Sequence, residues 1–242
     1  MESDRLSKIP PYLFAELDKK KRELIAKGAD LIDLTIGDPD LPTPEHIVQA
    51  LCDGVKDPKF HRYPHYSGIA EFRNAAAEYL FKTRKVGLDP ETEILTLIGS
   101  KEGIAHIPFA FLNKGDVALV PSPGYPVYGA STILADATPF EMPLKSENNF
   151  LPDLDAIPAD VVKKARLIFL NYPNNPTSAI ATMEFFERAV LFAKKNNILI
   201  CHDAAYLEVA YDGYKAPSIL EVKGAKDVAI EFHSLSKTFN MT

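Results

Sequence analysis

The sequence predicts an α/β fold in which a mostly parallel sheet is covered by helices on both faces. From residue 93 onward, short apolar runs alternate with helical segments. These runs are apolar at consecutive positions, which favours strands buried on both faces over strands with one solvent-exposed face. The predicted strands cover residues 93–98, 117–121, 166–171, 198–202 and 228–233.

Apolar residues at helical spacing predict the helices that precede and separate these strands. The predicted helices cover residues 12–27, 69–85, 102–111 and 183–195. A further strand-like stretch, residues 31–36, precedes Gly37. In such an alternation of strands and helices, ligands bind at the carboxyl ends of the strands.

The composition is that of an ordinary globular protein, since 46% of the 242 residues are hydrophobic and 25% are charged. A net charge of −6 provides no broad basic surface for nucleic acid. The chain has no apolar run long enough to cross a membrane, and its first residues lack the order of a signal peptide. We therefore expect a cytoplasmic protein with no nucleic-acid or membrane partner.

The two cysteines, Cys52 and Cys201, are too few and too far apart for a disulfide framework or a metal cluster. Cys201 ends the apolar run Ile-Leu-Ile-Cys, in which a buried and inert thiol is expected. The sequence therefore predicts no metal site.

Lys237 lies just beyond the last predicted strand, in Phe-His-Ser-Leu-Ser-Lys-Thr, residues 232–238. A partly desolvated amine at a strand end, beside Ser234 and Ser236, can become a nucleophile. Taken alone, the pattern also fits a surface lysine in a turn.

Asp203 follows the preceding strand, in His-Asp-Ala-Ala-Tyr. A carboxylate at the end of a buried strand is costly unless it pairs with a cation, and a protonated pyridine nitrogen is such a cation. Tyr206, three residues later, could donate to a phenolic oxygen on the same ring. The alternatives are a helix N-cap for Asp203 and core packing for Tyr206.

Three further motifs lie at strand ends. Asn175, in Asn-Tyr-Pro-Asn-Asn-Pro-Thr, could donate to the same phenolic oxygen, or could simply form an Asn-Pro turn. Ser100 and Lys101 follow Gly99 at a strand-to-helix turn whose free N–H groups suit an anion, although such a turn is a weak signal alone. Tyr125, in Pro-Gly-Tyr-Pro, could stack on a flat ring or merely occupy a turn.

Together these pieces match what pyridoxal 5′-phosphate (PLP) requires: a phosphate site, a stacking ring, two donors, a pyridine counter-ion and a lysine. In this order, the motifs Gly-Ser-Lys, Gly-Tyr-Pro, Asn-Asn-Pro-Thr, Asp-Ala-Ala-Tyr and Ser-Leu-Ser-Lys resemble the class I aminotransferases of PLP fold type I. The segments Ile-Pro-Pro-Tyr-Leu-Phe, residues 9–14, Gly-Asp-Pro-Asp-Leu-Pro, residues 37–42, and Gly-Ser-Lys-Glu-Gly, residues 99–103, resemble LL-diaminopimelate aminotransferases more narrowly.

This resemblance implies a role for each motif residue. Lys237 would be catalytic, binding PLP covalently and then moving the proton between substrate and cofactor. The other implied cofactor-binding residues are Tyr63, Ser100, Lys101, Tyr125, Asn175, Asp203, Tyr206, Ser234 and Ser236. The implied substrate-binding residues are Tyr12, Gly37, Lys101, Tyr125 and Asn175.

The resemblance also implies an architecture and partners. Residues 1–40 would form an N-terminal arm and small-domain segment, and residues 41–242 the PLP-binding large domain of fold type I. Tyr63, with Tyr66 as the second candidate, would reach the phosphate in a neighbouring subunit, which implies a homodimer with a shared active site. Family members continue past Ser-Lys-Thr-Phe-Asn-Met-Thr into Gly-Trp-Arg and a C-terminal small domain, so this chain is expected to lack that domain.

The expected reaction is transamination between an amino acid and a 2-oxo acid, of the LL-diaminopimelate and 2-oxoglutarate type in lysine biosynthesis. Two alternatives remain open. One is a lyase or decarboxylase on the same PLP fold. The other is a non-catalytic fragment, or half of a split aminotransferase that associates with a separate C-terminal chain.

Overall fold

The computed structural model describes residues 2–11, 13–34, 37 and 39–241. Its sheet has five parallel strands in the order β2-β1-β3-β4-β5. The strands are β1 (Val117–Ser122), β2 (Thr138–Pro143), β3 (Ala165–Asn171), β4 (Leu199–Asp203) and β5 (Ala229–Phe232). The predicted α/β fold with a parallel sheet is therefore confirmed.

The α-helices are α1 (Leu13–Ala26), α2 (Glu45–Lys56), α3 (Ala70–Arg84), α4 (Ser100–Phe111), α5 (Val127–Leu134), α6 (Ala159–Lys164), α7 (Met183–Asn196) and α8 (Leu235–Phe239). Helix α7 shows how the sequence forms them. Thr182 caps its first turn by accepting a hydrogen bond from the amide of Phe185. Phe185, Phe186, Ala189 and Val190 then recur at helical spacing on its buried face.

The core lies on both faces of the sheet, as two buried clusters. Ile200 belongs to the cluster beneath α7, whereas its neighbour Cys201 belongs to the cluster beneath α4 and α5. This division follows from the alternation of side chains along a strand. Cys201 is fully buried, as predicted, and its burial raises the pKa of the thiol well above the ordinary value.

Two sequence-based strand predictions are wrong. Residues 93–98 form no strand, because a strand needs a hydrogen-bonded neighbour and none of the described strands pairs with this segment. Residues 31–34 are also irregular, while Thr35 and Ile36 lie outside the described residues. The division of the chain at residue 40 stays a prediction.

Five elements were not predicted from the sequence, namely β2, α2, α5, α6 and α8. Strand β2 begins Thr-Pro and ends at Pro143, and such prolines argue against a strand in the sequence pattern. They are tolerated here because β2 is an edge strand. Helix α2 has no buried residue in this chain. Within the described part of the chain, every helix is too short or too polar to span a bilayer.

Candidate active site

Several of the predicted site residues lie where β3, β4 and β5 end. Because these strands are parallel and in register, their carboxyl ends meet at one edge of the sheet. Asn171 ends β3 and is paired in register with Asp203, which ends β4. Asp203 is paired in turn with Phe232, which ends β5 and precedes the Ser234–Lys237 segment.

Asp203 is buried, with 6% of its surface exposed, and is held from two sides. The hydroxyl of Tyr128 donates a 2.7 Å hydrogen bond to Asp203 Oδ2. The side-chain amide of Asn171 donates a 2.8 Å hydrogen bond to the Asp203 carbonyl oxygen. Within the described part of the chain, Asp203 Oδ1 is buried and has no hydrogen-bond partner. A buried carboxylate oxygen without a donor is rare and indicates a missing partner.

Opposing effects set the charge of Asp203. Burial raises the pKa of the carboxyl, because the ionised form loses its hydration. The Tyr128 hydrogen bond, the charge of His202, the amide of Ala205 and the charge of Lys237 act in the opposite direction. A further cation beside Oδ1 would complete this stabilisation of the ionised form.

Asn171 also shapes the turn that carries Asn175. Its side-chain oxygen accepts a 2.7 Å hydrogen bond from the amide of Asn175. The next asparagine, Asn174, is buried and accepts hydrogen bonds from the amide and hydroxyl of Thr177. Asn175 itself is exposed, and its side chain bonds to no residue of the described segments. The turn is thus rigid while the amide of Asn175 stays available.

Lys237 lies in the short helix α8. Ser234 caps this helix by accepting a hydrogen bond from the amide of Ser236, at 3.3 Å. Lys237 is half-buried, and its amine makes no hydrogen bond or ion pair with any residue that the structure describes. Its positive charge lowers the pKa of the Asp203 carboxyl, so the two groups lie close enough to interact electrostatically.

The first turn of α4 lies at the same end of the sheet. Gly103, one turn into α4, packs so closely on Phe232 that a Cβ there would approach its ring to 2.7 Å. Gly99 precedes the helix with φ 78° and ψ 148°, a conformation essentially restricted to glycine, and no side chain caps the helix. Ser100 and Lys101 open the helix, so their N–H groups provide a site for an anion.

Two tyrosines complete the cluster. Tyr125 follows Gly124, where a Cβ would lie 2.4 Å from the Pro121 carbonyl oxygen, so this turn requires glycine. The ring of Tyr125 stands edge-on to Tyr128, with centroids 5.7 Å apart. The pKa of Tyr206 is raised by burial and by the charge of Asp203, with Tyr125 contributing further. Tyr206 therefore lies near the carboxylate, and Tyr125 packs on Tyr128, the residue that donates to it.

Other predicted site residues lie apart from this cluster. Tyr63 is fully exposed and Tyr66 is 90% exposed, so neither packs against the site within this chain. Their loop is anchored by Arg73, which donates a hydrogen bond to the Gly68 carbonyl oxygen. Gly37 is exposed and has open space around it, and Tyr12 lies outside the described residues.

The sequence reading missed three residues beside the site. Tyr128 and Asn171 contact Asp203 directly, and His202 lies beside it in the chain. Each lies within or beside an apolar run, and the sequence pattern predicts no role for them. The three-residue spacing between Tyr125 and Tyr128 could have indicated Tyr128, because residues three apart lie on the same face of a helix.

The residues present fit PLP. Asp203 Oδ1 lacks the donor that a protonated pyridine nitrogen would supply. The start of α4 has free N–H groups for a phosphate. The Lys237 amine, which has no hydrogen-bond or ion-pair partner among the described residues, would suit the aldehyde carbon. Tyr206 and Asn175 would supply the donors for a phenolic oxygen.

Comparison with known proteins agrees with this geometry. The chain is 59% identical over 240 residues to an LL-diaminopimelate aminotransferase of Aquifex aeolicus, covering 99% of this chain and 62% of that protein. It is 56% identical to LL-diaminopimelate aminotransferase 2 of Trichormus variabilis, covering 98% of this chain and 61% of the relative. The chain thus spans about three fifths of the length of these relatives.

Several solved structures are also similar to this chain. The substrate-bound BacF structure from Bacillus subtilis superposes with a TM-score of 0.93 at 41% identity, covering 100% of this chain and 61% of that one. A probable N-succinyldiaminopimelate aminotransferase from Thermus thermophilus superposes with a TM-score of 0.89 at 39% identity, covering 95% of this chain and 62% of that one. The model of the family "Aminotransferase class I and II" matches residues 29–242. The chain belongs to the class I and II aminotransferases, which are PLP-dependent enzymes.

Proposed function

We propose that this chain carries the cofactor-binding part of an aminotransferase that transfers the amino group of LL-diaminopimelate to 2-oxoglutarate, a reaction of lysine biosynthesis. The observation that supports it best is the buried Asp203 Oδ1, which has no donor among the described residues and feels the charge of Lys237, whose amine has no partner among them either. The choice of substrate is supported by the relatives named LL-diaminopimelate aminotransferase, at up to 59% identity.

The chemistry divides between the cofactor and the chain. When bound, PLP supplies an electron-withdrawing ring that makes the hydrogen on the α-carbon of an attached amino acid acidic. Asp203 would keep the ring nitrogen protonated, since its carboxylate is buried and can pair with that N–H. Lys237 Nζ would accept the proton from the substrate α-carbon and deliver it to the cofactor carbon, as a general base and then a general acid.

The remaining residues would orient the cofactor. The start of α4, with Ser100 and Lys101, would hold the phosphate together with Ser234 and Ser236. Asn175 and Tyr206 would donate to the phenolic oxygen, and Tyr125 would stack on the ring. These contacts would keep the reacting carbon within reach of Lys237.

A homodimer forms part of this proposal. Tyr63 is fully exposed on a loop that Arg73 anchors, and the loop therefore presents its ring outward without collapsing onto its own chain. An exposed aromatic residue on an anchored loop suits a contact with a second copy. In that arrangement Tyr63 would reach the phosphate bound in the neighbouring subunit.

The experiment is to incubate the purified chain with PLP, reduce it with borohydride and map the adduct by peptide mass spectrometry. We expect one stoichiometric adduct on Lys237 and none in Lys237→Arg. Lys59→Arg, a change at an exposed lysine, is the matched control and should label like the unchanged chain. Scattered or absent labelling would contradict cofactor binding by this chain.

Product analysis separates transamination from lyase or decarboxylase chemistry. With LL-diaminopimelate and no 2-oxo acid, an aminotransferase releases one oxo-acid product per bound cofactor and then stops. Continuous turnover, with release of carbon dioxide or a side-chain fragment, would instead identify one of the other chemistries.

A further inference from the structure

A buried charged pair lies on the face of the sheet opposite Asp203. His202 and Glu231 are register partners on β4 and β5, so their side chains share one face of the sheet. Both side chains have no exposed surface, and His202 Nδ1 lies 2.9 Å from Glu231 Oε2. The His202 ring packs against Phe186 of α7, with centroids 4.9 Å apart. The proposed function uses neither residue.

Glu231 is surrounded by donors. Besides His202, its carboxylate accepts hydrogen bonds from the Ser218 hydroxyl at 2.8 Å and from the Ile219 amide at 3.1 Å. His233 Nε2 lies 2.8 Å from Glu231 Oε1. Burial raises the pKa of Glu231, but the hydrogen bonds and charges of His202 and His233 outweigh it and hold the pKa well below its ordinary value. Glu231 is therefore an anion.

Both ring nitrogens of His202 face acceptors. Nδ1 faces the ionised carboxylate of Glu231 at 2.9 Å, and Nε2 faces the carbonyl oxygen of Tyr172 at 3.2 Å. A neutral imidazole has one N–H and one acceptor nitrogen, so either tautomer would leave a nitrogen lone pair against an acceptor. Only the doubly protonated ring satisfies both contacts. The two contacts therefore favour the doubly protonated form, a buried imidazolium.

This imidazolium connects the strands that carry the site. Through Tyr172 it holds the segment between Asn171 and Asn175, and through Glu231 it holds β5, which leads to Lys237. Its nearest neighbour along β4 is Asp203, whose carboxyl lies on the other face. A positive charge on His202 lowers the pKa of that carboxyl, against the rise that burial causes.

We propose that His202 is a positioning residue of the cofactor site, and that its buried imidazolium keeps the Asp203 carboxylate ionised while joining the ends of β3, β4 and β5. The inference deepens the proposed function and rests on it for the role of Asp203 toward the pyridine nitrogen. The ionisable groups around Asp203 are Tyr128 in α5 with Tyr125 just before that helix, Tyr206 in the following turn, Lys237 in α8 and His202 itself. Those around His202 are Glu231, His233 and Asp203.

The first measurement is nitrogen NMR of the histidine side chains in the complete 242-residue chain without PLP. We expect both ring nitrogens of His202 to carry a proton at pH 7. A single protonated nitrogen on His202 would overturn the proposal without any variant being made.

The second measurement is the titration of the Asp203 carboxyl by carbon NMR, assigned with Asp203→Asn. In His202→Gln we expect the titration to move upward by about one pH unit or more, because a positive charge has been lost. Ser218→Ala is the matched control. It removes a donor to Glu231 but leaves the His202 charge, so it should lower stability without moving the Asp203 titration.

A merely structural role for His202 predicts the same behaviour in His202→Gln and Ser218→Ala, and that result would overturn the proposal. If His202→Gln does not fold, Glu231→Gln addresses the same question, because His202 then loses the anion that keeps it protonated. An unchanged Asp203 titration in that variant would also contradict the proposal.

Binding of PLP is the third readout, with about tenfold weaker affinity expected in His202→Gln and no change in Ser218→Ala. If the unchanged chain does not bind PLP, the proposed function fails. The two NMR measurements still decide whether His202 is charged and whether it controls Asp203.

Discussion

Tyr128 donates a 2.7 Å hydrogen bond to one oxygen of Asp203, while the other oxygen of that carboxylate has no partner among the described residues. The bond joins positions 75 residues apart in the chain. It fixes the carboxylate from the side of α5 and leaves Oδ1 for a ligand. The site therefore holds its acidic group in place before any cofactor arrives, which reduces the ordering needed on binding.

Removing the Tyr128 hydroxyl tests this arrangement. We expect Tyr128→Phe to lower the free energy of unfolding by about 1–3 kcal/mol, because a buried carboxylate oxygen loses its donor. Affinity for PLP should fall as well. Tyr211→Phe, at a residue that is 75% exposed, is the control and should change stability by no more than about 0.5 kcal/mol. Equal losses in the two variants would contradict a specific role for Tyr128.

Replacing Asp203 should stabilise the chain without cofactor while impairing binding. Burial raises the pKa of Asp203 in the folded chain, although Tyr128, His202, Ala205 and Lys237 oppose this rise. A raised carboxyl pKa gives stability that is present below the unfolded pKa and is lost as pH rises through the folded pKa. We therefore expect Asp203→Asn to have a higher melting temperature at pH 7, by about 2–4 °C for each kcal/mol gained in the free energy of unfolding. We also expect it to bind PLP poorly.

Calorimetry across pH 4–8 measures this effect, and Asp153→Asn, at an exposed position, is the control. The gain should grow as pH rises through the Asp203 titration. A lower melting temperature for Asp203→Asn at pH 7 would show that the ionised carboxylate stabilises the fold.

The contribution of Glu231 to stability has the opposite pH dependence. Burial raises its pKa, but the donors around it lower that pKa well below 4.5, so its stabilising contribution is present above pH 4.5 and is lost as pH falls below that value. We expect Glu231→Gln to lower the free energy of unfolding by about 3–5 kcal/mol at pH 7, because it breaks the buried pair and leaves His202 without its anion. Urea unfolding at pH 7 and pH 4 should show the difference shrinking at the lower pH. Glu187→Gln, on the exposed face of α7, should show no such dependence.

Gly99 should tolerate no side chain. Gly99→Ala should destabilise the chain by about 1–3 kcal/mol, because alanine is strained at φ 78° and ψ 148°. It should also weaken PLP binding by displacing the start of α4. The matched change is Gly129→Ala within α5, where a Cβ meets no atom within 4 Å. That variant should be stabilised by about 0.5–1 kcal/mol. An equal loss of stability in the two variants would rule out strain at Gly99.

Much of the site could be predicted because its residues lie in short motifs at strand ends. Asp203, Tyr206 and Lys237 each follow an apolar run, and parallel topology brings such positions together whatever the details of packing. The supporting contacts were beyond that reasoning. His202 meets Glu231 only because β4 and β5 pair in one particular register, and that register depends on the whole sheet.

The sequence by itself determined the alternation of strands and helices, the buried state of Cys201 and the motif order that identifies the family, because local periodicity and turn residues act over a few positions. The tertiary structure decided which apolar segments become strands and which acceptors each polar group meets. Residues 93–98 have strand-like composition but no neighbouring strand in the described chain, and Asp203 keeps one oxygen unpaired because Tyr128 reaches only the other. Both outcomes depend on partners distant in sequence, which no local pattern encodes.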